Sequence, residues 1–354
     1  SMLTQLKDYR GKKILVTGHT GFKGVWLSRI LVLAGAEVYG VALEPETGSL
    51  FTRIENIGFK ESSYIDIRNA AALNEYLEKH TFDGVFHLAA QPLVIKSYEE
   101  PLETFATNVM GTANLLQSIM MNKSSPWTVV VTTDKVYKNV EKLAGYTEDE
   151  SLGGKDPYSA SKAATEMVVS AWQNLGALQN PIYKLVAVRA GNVIGGGDTA
   201  ENRLIPDLIR GFLANSKTVI RFPHSIRPWQ HVLDPLNGYL TIGCKLMTDK
   251  KISPAYNFGP GDESKLTVQQ MAEYSCGQWP GSQGIEVRED KNALPESGLL
   301  WLSSNLAVGE LGWFNRFEAK EAIRWTIEWE RESMNSTPLQ ALDTQIDAFF
   351  GVEK

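Results

Sequence analysis

The residues KILVTGHTGFKG, at positions 13–24, decide how this chain folds. The apolar run 13–17 is typical of a buried strand, and it leads into a Gly-x-x-Gly-x-x-Gly turn made by Gly18, Gly21 and Gly24. Glycines at this spacing permit a tight turn and let the backbone approach a diphosphate at the N-terminus of the next helix. A glycine-rich turn without a ligand is the alternative. Because the turn lies in the first strand–helix connection of an alternating chain, the pattern favours a dinucleotide site.

The same alternation continues outward from this turn through the first half of the chain. Short apolar runs alternate with amphipathic stretches, which predicts a doubly wound parallel α/β sheet of Rossmann type with helices on both faces. The predicted strands are 13–17, 37–43, 84–88, 128–133 and 184–189, and the predicted helices are 24–34, 69–80, 101–121 and 158–175.

The second half of the chain has a different pattern. From the segment GGGD at 195–198 onward we expect more loops, short helices and few long apolar strands. We therefore predict a dinucleotide-binding domain over residues 1–190 and a smaller, mainly substrate-binding lobe over 191–354. The run 255–259 predicts one strand that returns to the main sheet.

Composition excludes several classes of function. The 354 residues are 43% hydrophobic and 21% charged, which is ordinary for a globular protein, and a net charge of −6 argues against a nucleic-acid partner. The two cysteines, Cys244 and Cys276, are too few for a disulfide framework and lack metal-ligand spacing, so we expect no metal and a reducing cytoplasm. Arg29 and Glu37 interrupt the longest apolar stretch, 26–43, and we expect no membrane span.

Tyr158 and Lys162 form a candidate catalytic pair. Residues four apart lie on one face of a helix. A neighbouring ammonium and an oxidised nicotinamide both favour phenolate, so we expect a lowered pKa for Tyr158 and a role as general base. An ordinary surface pair is the alternative. The preceding predicted strand ends in Thr132 and Thr133, whose hydroxyls are placed to orient the same substrate oxygen.

These motifs occur in an order that resembles the extended short-chain dehydrogenase/reductase family. Besides the glycine loop and the Tyr–Lys pair, the chain has HLAAQ at 87–91 and TNVMGT at 107–112. Within that family it is most similar to the dehydratases that act on CDP-glucose, on the segments GHTGFKG 18–24, AQPLV 90–94, DKVY 134–137, LGGKDPY 152–158, RAGNVIGGGD 189–198 and RPWQHV 227–232. It departs from them at Thr133, where a serine is expected, and at Val136, where a cysteine is usual. The first change keeps the hydroxyl and the second excludes thiol chemistry there.

The resemblance implies a 4,6-dehydration of CDP-glucose that uses NAD and returns the hydride within one turnover. Tyr158 would take the proton of the C4 hydroxyl, and oxidation at C4 makes the C5 proton acidic. Asp134 would then protonate the leaving C6 hydroxyl while a neutral Lys135 removes the C5 proton, with Thr133 and Lys162 completing the catalytic set. Related dTDP-sugar dehydratases have Asp-Glu at this place. A structural salt bridge between Asp134 and Lys135 is the alternative.

The cofactor prediction is NAD rather than NADP. Val41-Ala42-Leu43 occupies the end of the second strand, where an acidic residue is expected. Glu44 lies just beyond it and either reaches the ribose hydroxyls or is a solvated loop charge. Asp66 and Ile67 are candidates for the adenine edge, with helix capping as the alternative for Asp66. The full predicted cofactor set is Gly18, Thr20, Gly21, Phe22, Lys23, Gly24, Asp66, Ile67, Leu88, Ala89, Ala90, Gln91, Asn108, Tyr158 and Lys162.

Five residues are candidates for the nucleotide-sugar substrate. Asn192 is placed to bind sugar hydroxyls, and guanidinium groups such as Arg203 and Arg227 bind phosphate bidentately. Each arginine is equally well explained as a surface charge. His19 and Lys96 are candidates to face the substrate, with a role in loop packing as the alternative.

Two other functions fit parts of the pattern. A nucleotide-sugar 4-epimerase shares the glycine loop and the Tyr–Lys pair but needs no acid–base pair after the threonines, so Asp134 and Lys135 favour a dehydratase. A 4,6-dehydratase for another nucleotide sugar stays open, and a non-catalytic dinucleotide sensor commonly lacks the Tyr–Lys pair. By resemblance, the apolar helices 101–121 and 158–175 predict a homodimer or tetramer, and the product would supply deoxysugars for bacterial surface polysaccharides such as lipopolysaccharide.

Overall fold

The computed structural model describes residues 3–179, 184–248, 251–292 and 299–351. The strands are β1 Lys13–Thr17, β2 Glu37–Ala42, β3 Glu61–Tyr64, β4 Gly84–His87, β5 Trp127–Val131, β6 Leu185–Ala190, β7 Val193–Ile194, β8 Thr218–Ile220, β9 Ile226–Pro228, β10 Gln230–His231, β11 Ala255–Phe258, β12 Lys265–Thr267 and β13 Ile285–Val287. The helices are α1 Phe22–Leu33, α2 Ala70–Glu78, α3 Val94–Glu99, α4 Pro101–Phe105, α5 Gly111–Met121, α6 Pro157–Gln179, α7 Leu204–Leu213, α8 Leu233–Met247, α9 Val268–Gln278, α10 Asn305–Leu311, α11 Ala319–Asn335 and α12 Pro338–Phe350.

A seven-stranded sheet of order β11-β6-β5-β4-β1-β2-β3 forms the centre of the molecule. Its neighbouring strands are parallel throughout; Val16 of β1, for example, pairs with Gly40 on one side and with Phe86 on the other. The chain winds outward from β1 in one direction through β2 and β3, and in the other through β4 to β6. The doubly wound Rossmann arrangement is therefore confirmed, and β11 is the predicted return strand beside β6.

Side chains of successive strand residues divide the core between the two faces of the sheet, because they point in opposite directions. Ile14 and Val16 join a large apolar cluster that takes in α1, α8, α11 and α12. Leu15, between them in sequence, joins a second cluster formed with α2, α5 and α6. Burial on both faces explains why these strands are continuously apolar rather than alternating.

The predicted helix 101–121 occurs as α4, a π-helical turn over Ala106–Met110, and α5. The widened turn leaves the carbonyl of Asn108 to accept hydrogen bonds from the hydroxyls of Thr112, at 2.7 Å, and Thr165, at 2.8 Å. π-helical turns of this kind are frequent at functional sites. Here the turn directs the Asn108 side chain toward Gln91 and Ser161.

The second half of the chain has longer helices than its loop-rich sequence predicts. Helix α8 has 15 residues and α11 has 17, so the expectation of short helices was wrong. Between the helices lie three two-stranded sheets, β7 with β10, β9 with β12 and β8 with β13. Helix α8 packs on β5 and α12 packs on α1, so part of this half covers the main sheet. The boundary at 190/191 stays a prediction.

No helix within the described part of the chain combines the length and apolarity needed to cross a membrane.

Candidate active site

A cleft of about 900 Å³ lies between the two halves of the chain. Ligands of doubly wound sheets bind beyond the carboxyl ends of the strands, and the cleft contains residues that follow β5 and β6. It brings together predicted catalytic residues and Lys96 from the first half of the chain and predicted substrate residues from the second. These are Asp134, Lys135, Tyr158, Lys96, Asn192, Arg203 and Arg227.

The glycine loop is packed too tightly for any other residue at two of its positions. Gly18 has φ +74°, and a Cβ there would lie 2.7 Å from the amide nitrogen of Ala89. A Cβ on Gly24 would lie 2.1 Å from the carbonyl oxygen of Gly18. The loop leads into α1, where Gly21 is the N-cap and provides no side-chain hydrogen bond. The N–H groups of the first turn are therefore available to a diphosphate, and the geometry fits a dinucleotide.

Replacing Gly24 by alanine should weaken dinucleotide binding at least tenfold, because the loop has to shift by more than an ångström to admit the methyl group. Isothermal titration with the dinucleotide measures this directly. Gly277→Ala is the matched control, since nothing lies within 4 Å of a Cβ at that helical position. Equal affinities for the two variants would show that the loop does not hold the ligand.

The loop after β4 forms the neighbouring wall of this site. The hydroxyl of Thr17 accepts hydrogen bonds from the backbone N–H groups of Leu88, at 3.1 Å, and Ala89, at 3.2 Å. Asn108 accepts from the N–H of Gln91 at 2.8 Å and donates to Ser161 at 3.0 Å. The Gln91 and Asn108 side chains thus hold the wall in place. Their contact with a cofactor stays a prediction, as it does for Thr20, Phe22 and Ala90.

Lys23 is a half-buried cation beside the cleft. Its ammonium donates a hydrogen bond to the hydroxyl of Tyr239 at 2.9 Å. Burial, together with the charges of Lys162 and Arg203, lowers the pKa of Lys23 to about 7. Because three cations face one another here, an anionic ligand in the cleft would be stabilised by each of them.

Tyr158 and Lys162 occupy the first turns of α6, as the spacing predicts. The N–H of Tyr158 donates to Ser97 at 3.1 Å, and the Lys162 ammonium donates to the carbonyl of Val131 at 3.5 Å. Burial raises the pKa of Tyr158 to about 12, although a hydrogen bond with Thr133 opposes the rise. Burial also lowers the pKa of Lys162 to about 8.

The protein's own groups do not lower the pKa of Tyr158, because desolvation of the phenol outweighs the neighbouring charges. The expected lowering beside an oxidised nicotinamide stays a prediction. Phenolate at this position needs a further positive charge beside it. An oxidised nicotinamide bound beside the phenol would supply that charge.

Asp134 and Lys135 lie in a single 3₁₀ turn at the end of β5. The hydroxyl of Thr133 caps this turn, accepting from the N–H of Lys135 at 3.4 Å, and donates to Asp134 Oδ1 at 3.2 Å. The Lys135 ammonium lies 3.8 Å from the same Oδ1. A Cβ on Gly191 would lie 2.8 Å from Asp134 Oδ2, so glycine there leaves room for the carboxylate. The two residues form the salt bridge considered as the alternative, and this salt bridge lines the cleft.

The predicted substrate residues carry different local partners. Arg203 lies 3.6 Å from Asp198, and Lys96 lies 3.6 Å from Glu100. Asn192 and Arg227 line the same cleft. All four are placed to meet a ligand there, and their contacts with a nucleotide sugar stay predictions.

His19 does not face the substrate, and that expectation was wrong. Its ring is fully buried, with Nε2 2.7 Å from the hydroxyl of Ser62 and its edges against Phe51 and Phe59. A Cβ on Gly40 would lie 2.2 Å from the ring. Burial lowers the pKa of His19 to about 4, so the residue is a neutral part of the core.

Asp66 does not cap a helix, which corrects one of its two interpretations. The side chain of Asn69 caps α2 by accepting from the N–H of Ala72 at 3.1 Å. The carboxylate of Asp66 instead lies 2.6 Å from Arg68. The side chain of Ile67 is buried and packs near Gly111. Contact of Asp66 and Ile67 with adenine stays a prediction.

Sequence reasoning missed several residues that build this site. Glu166 follows Lys162 by four residues on α6, and the spacing 158, 162, 166 was a signal that could have found it. Tyr239 and Arg189 gave no local signal, because their partners are distant in sequence.

A doubly wound sheet, a tight glycine loop and a Tyr–Lys pair beside the strand-end threonines define a dinucleotide-dependent enzyme of the short-chain dehydrogenase/reductase class. Comparison with known proteins refines that class. The sequence model of the GDP-mannose 4,6 dehydratase family matches residues 15–326. The CDP-glucose 4,6-dehydratase of Salmonella typhimurium is 43% identical over 331 residues, which is 91% of each chain. The chain therefore belongs to this family of extended short-chain dehydrogenases/reductases.

Solved structures share the fold at low sequence identity. A dTDP-glucose 4,6-dehydratase from Streptomyces venezuelae, crystallised with NAD bound, superposes with a TM-score of 0.76 at 23% identity and covers 92% of this chain and 99% of its own. A UDP-glucose 4-epimerase from Thermotoga maritima also gives 0.76, at 21% identity, with 91% of this chain and 99% of its own covered. The fold thus does not separate dehydratases from epimerases, and the site has to do so.

Proposed function

We propose that this chain is an NAD-dependent hydro-lyase that converts CDP-glucose to CDP-4-dehydro-6-deoxyglucose. The observation that carries the proposal is the Asp134–Lys135 pair in the cleft that also contains Tyr158. An epimerase has no use for an acid and a base at that place. The 43% identity to a CDP-glucose 4,6-dehydratase supports the choice of substrate.

NAD, when bound, accepts the C4 hydride of the sugar and later returns it at C6. The glycine loop, the first turn of α1 and Lys23 would hold its diphosphate. The loop over residues 88–91 would lie along the nicotinamide half. Glu44 and Asp66 remain the candidates for the adenosine end.

The first task of the protein is to take the proton of the C4 hydroxyl as the hydride leaves. Tyr158 does this as phenolate, stabilised by the hydrogen bond with Thr133. The ammonium of Lys162, one turn along the same helix, would favour the same state. The resulting C4 ketone makes the neighbouring C5 proton acidic.

The second task is the loss of water across C5 and C6. Lys135 in its neutral form takes the C5 proton, and Asp134 in its acid form protonates the departing C6 hydroxyl. The Lys135 nitrogen lies 3.8 Å from Oδ1 of Asp134. The neutral amine and the carboxylic acid therefore form from the ion pair by transfer of one proton from nitrogen to oxygen. Afterwards the same lysine returns a proton to C5 when C6 receives hydride.

Incubation with CDP-glucose and, separately, dTDP-glucose tests the proposal. We expect the 4-keto-6-deoxy product from CDP-glucose, with no free reduced nicotinamide released, because the hydride returns within each turnover. Product from dTDP-glucose alone would correct the substrate. Stoichiometric release of reduced nicotinamide would identify a simple dehydrogenase, and a C4-inverted sugar without loss of water would identify an epimerase.

We also propose that two copies of the chain associate through α4, α5 and α6. Exposed apolar side chains on this region support the proposal, because exposed apolar surface of this kind marks interfaces. They are Leu102 at 86% exposure, Met110 at 56%, Met121 at 69%, Met167 at 56% and Leu178 at 80%. The helices neighbour one another in the fold.

The double variant Leu102→Glu/Met167→Glu should convert the assembly to monomers, because buried carboxylates at an apolar interface are unfavourable. Light scattering at micromolar concentration gives the mass. Leu143→Glu is the matched control, since Leu143 is 83% exposed and lies outside these helices. A wild-type protein that is already monomeric would refute the proposed interface.

We further propose a cytoplasmic site of action, because both cysteines, Cys244 and Cys276, are free thiols suited to a reducing compartment.

A further inference from the structure

A buried hydrogen-bond network lies directly behind the catalytic turn. Glu166 of α6 and Arg189 of β6 are 4% and 5% exposed. Arg189 binds the carboxylate in bidentate fashion, with Nε 2.8 Å from Oε1 and Nη2 3.0 Å from Oε2. Oε1 also accepts a hydrogen bond of 2.6 Å from the hydroxyl of Thr132. The carboxylate therefore joins α6, β6 and the end of β5.

The network extends from Arg189 to the neighbouring strand β11. Nη1 of Arg189 donates to the hydroxyl of Tyr137 at 2.8 Å, and that hydroxyl donates to Asn257 of β11 at 2.6 Å. Charge-assisted bidentate bonds in a buried setting fix the geometry of their partners. The four elements that meet here thus have one relative arrangement.

This arrangement determines where the reacting groups lie. Thr132 is immediately followed by Thr133 and Asp134, while Tyr158 and Lys162 precede Glu166 by two turns and one turn of α6. A bond between Thr132 and Glu166 therefore sets the distance between the strand-end groups and the phenol. Misplacement of a catalytic group by about 1 Å costs up to roughly a hundredfold in rate.

The same carboxylate affects the charge of Lys162. Burial lowers the pKa of Lys162, and Glu166 is the group that opposes the change. The other titratable groups facing Lys162 are Tyr158 on its own helix, Lys23 of α1 and His87 of β4. Lys23 is a like charge and His87 is buried and neutral, since burial lowers its pKa to about 3. Among these groups Glu166 is the one whose negative charge opposes the lowering of the Lys162 pKa.

We propose that Glu166 is a positioning residue of this active site, which ties α6, and with it Tyr158 and Lys162, to the end of β5 through Thr132. The expected changes in kcat rest on the proposed function, whereas the expected change in the titration of Lys162 does not. Two separable effects are expected, one on geometry through Thr132 and one on charge through Lys162.

Three variants separate these effects. Glu166→Gln keeps the shape but removes the charge and leaves Arg189 without its anion. We expect kcat to fall at least tenfold with KM nearly unchanged. The alkaline limb of the pH profile of kcat should move to lower pH, because Lys162 then loses its proton at a lower pH.

Thr132→Val should lower kcat without moving that limb. Glu166→Asp keeps the charge and should leave the limb in place. Glu321→Gln, on an exposed ion pair of α11, is the matched control.

An NMR titration of ¹³C-labelled lysines, with Lys162 assigned through Lys162→Met, measures the charge effect without turnover. We expect the Lys162 titration to move to lower pH by about one unit or more in Glu166→Gln and to stay in place in Glu166→Asp and Glu321→Gln.

An unmoved titration together with wild-type kcat in Glu166→Gln overturns the proposal. If Glu166→Gln does not fold, wild-type kcat in both Thr132→Val and Glu166→Asp overturns it. A wild-type enzyme that is inactive on every nucleotide sugar refutes the proposed function instead, and the titration still decides the role of Glu166.

Discussion

Replacing Tyr158 by phenylalanine should reduce formation of the 4-keto product by roughly 10²–10⁴, the usual contribution of a general base. The phenol is the group that takes the C4 proton, so its removal stops the reaction before any other bond changes. Neither solvent deuterium at C5 nor bound reduced nicotinamide should then appear. Absorbance of the enzyme mixed with substrate, together with NMR of the recovered sugar, measures both.

Tyr64→Phe is the control for Tyr158→Phe, because it removes the same hydroxyl from a half-exposed tyrosine on β3. It should retain wild-type activity. If Tyr158→Phe still oxidises C4 at the wild-type rate, the base is another residue and the Tyr–Lys pair has a structural role.

Asp134→Asn and Lys135→Met should block the reaction one stage later. C4 oxidation remains possible in both, because Tyr158 and Lys162 are unchanged, whereas loss of water should slow by roughly 10²–10⁴. Reduced nicotinamide should therefore accumulate on these variants with CDP-glucose and not on Tyr158→Phe. Rapid-mixing absorbance distinguishes the two stages.

The position of solvent deuterium in the wild-type product supplies an independent check on this order. The proton returned to C5 exchanges with solvent, whereas the hydrogen delivered to C6 comes from C4 of the same sugar. Deuterium should be found at C5 alone, and deuterium at C6 would contradict internal return of hydride.

Lys138→Met is the matched control for Lys135→Met, since Lys138 is exposed and three residues along the same segment. Full activity in Lys135→Met would show that another residue takes the C5 proton. In that event the ion pair with Asp134 has the structural role considered from the sequence.

Local pattern was sufficient to predict the sheet, its parallel direction and the return of a strand at 255–258. The period of apolar residues is a property of neighbouring residues, as is the spacing that places Tyr158 and Lys162 on one helix face. The glycine loop could also be predicted, because the spacing of its glycines is local and the steric demand at Gly24 arises within the loop itself.

The failure at His19 and the effect missed at Tyr158 both concern burial, which depends on residues distant in sequence. His19 lies inside a phosphate-loop motif, but Gly40 of β2, Phe51 and Phe59 enclose its ring and remove it from the cleft. The cationic neighbour of Tyr158 is visible in the sequence, whereas the loss of water around the phenol, which raises its pKa, is not.

By itself the sequence determined the class of fold, the dinucleotide turn and the identity of the candidate catalytic groups. Only the tertiary structure decided which of those groups share a cleft, which are desolvated and which are held by Glu166. The physical reason is that hydrogen bonds such as Thr132 to Glu166 and Arg189 to Glu166 join segments 34 and 23 residues apart. Their strength depends on exclusion of water by the packed sheet, which no short stretch of sequence encodes.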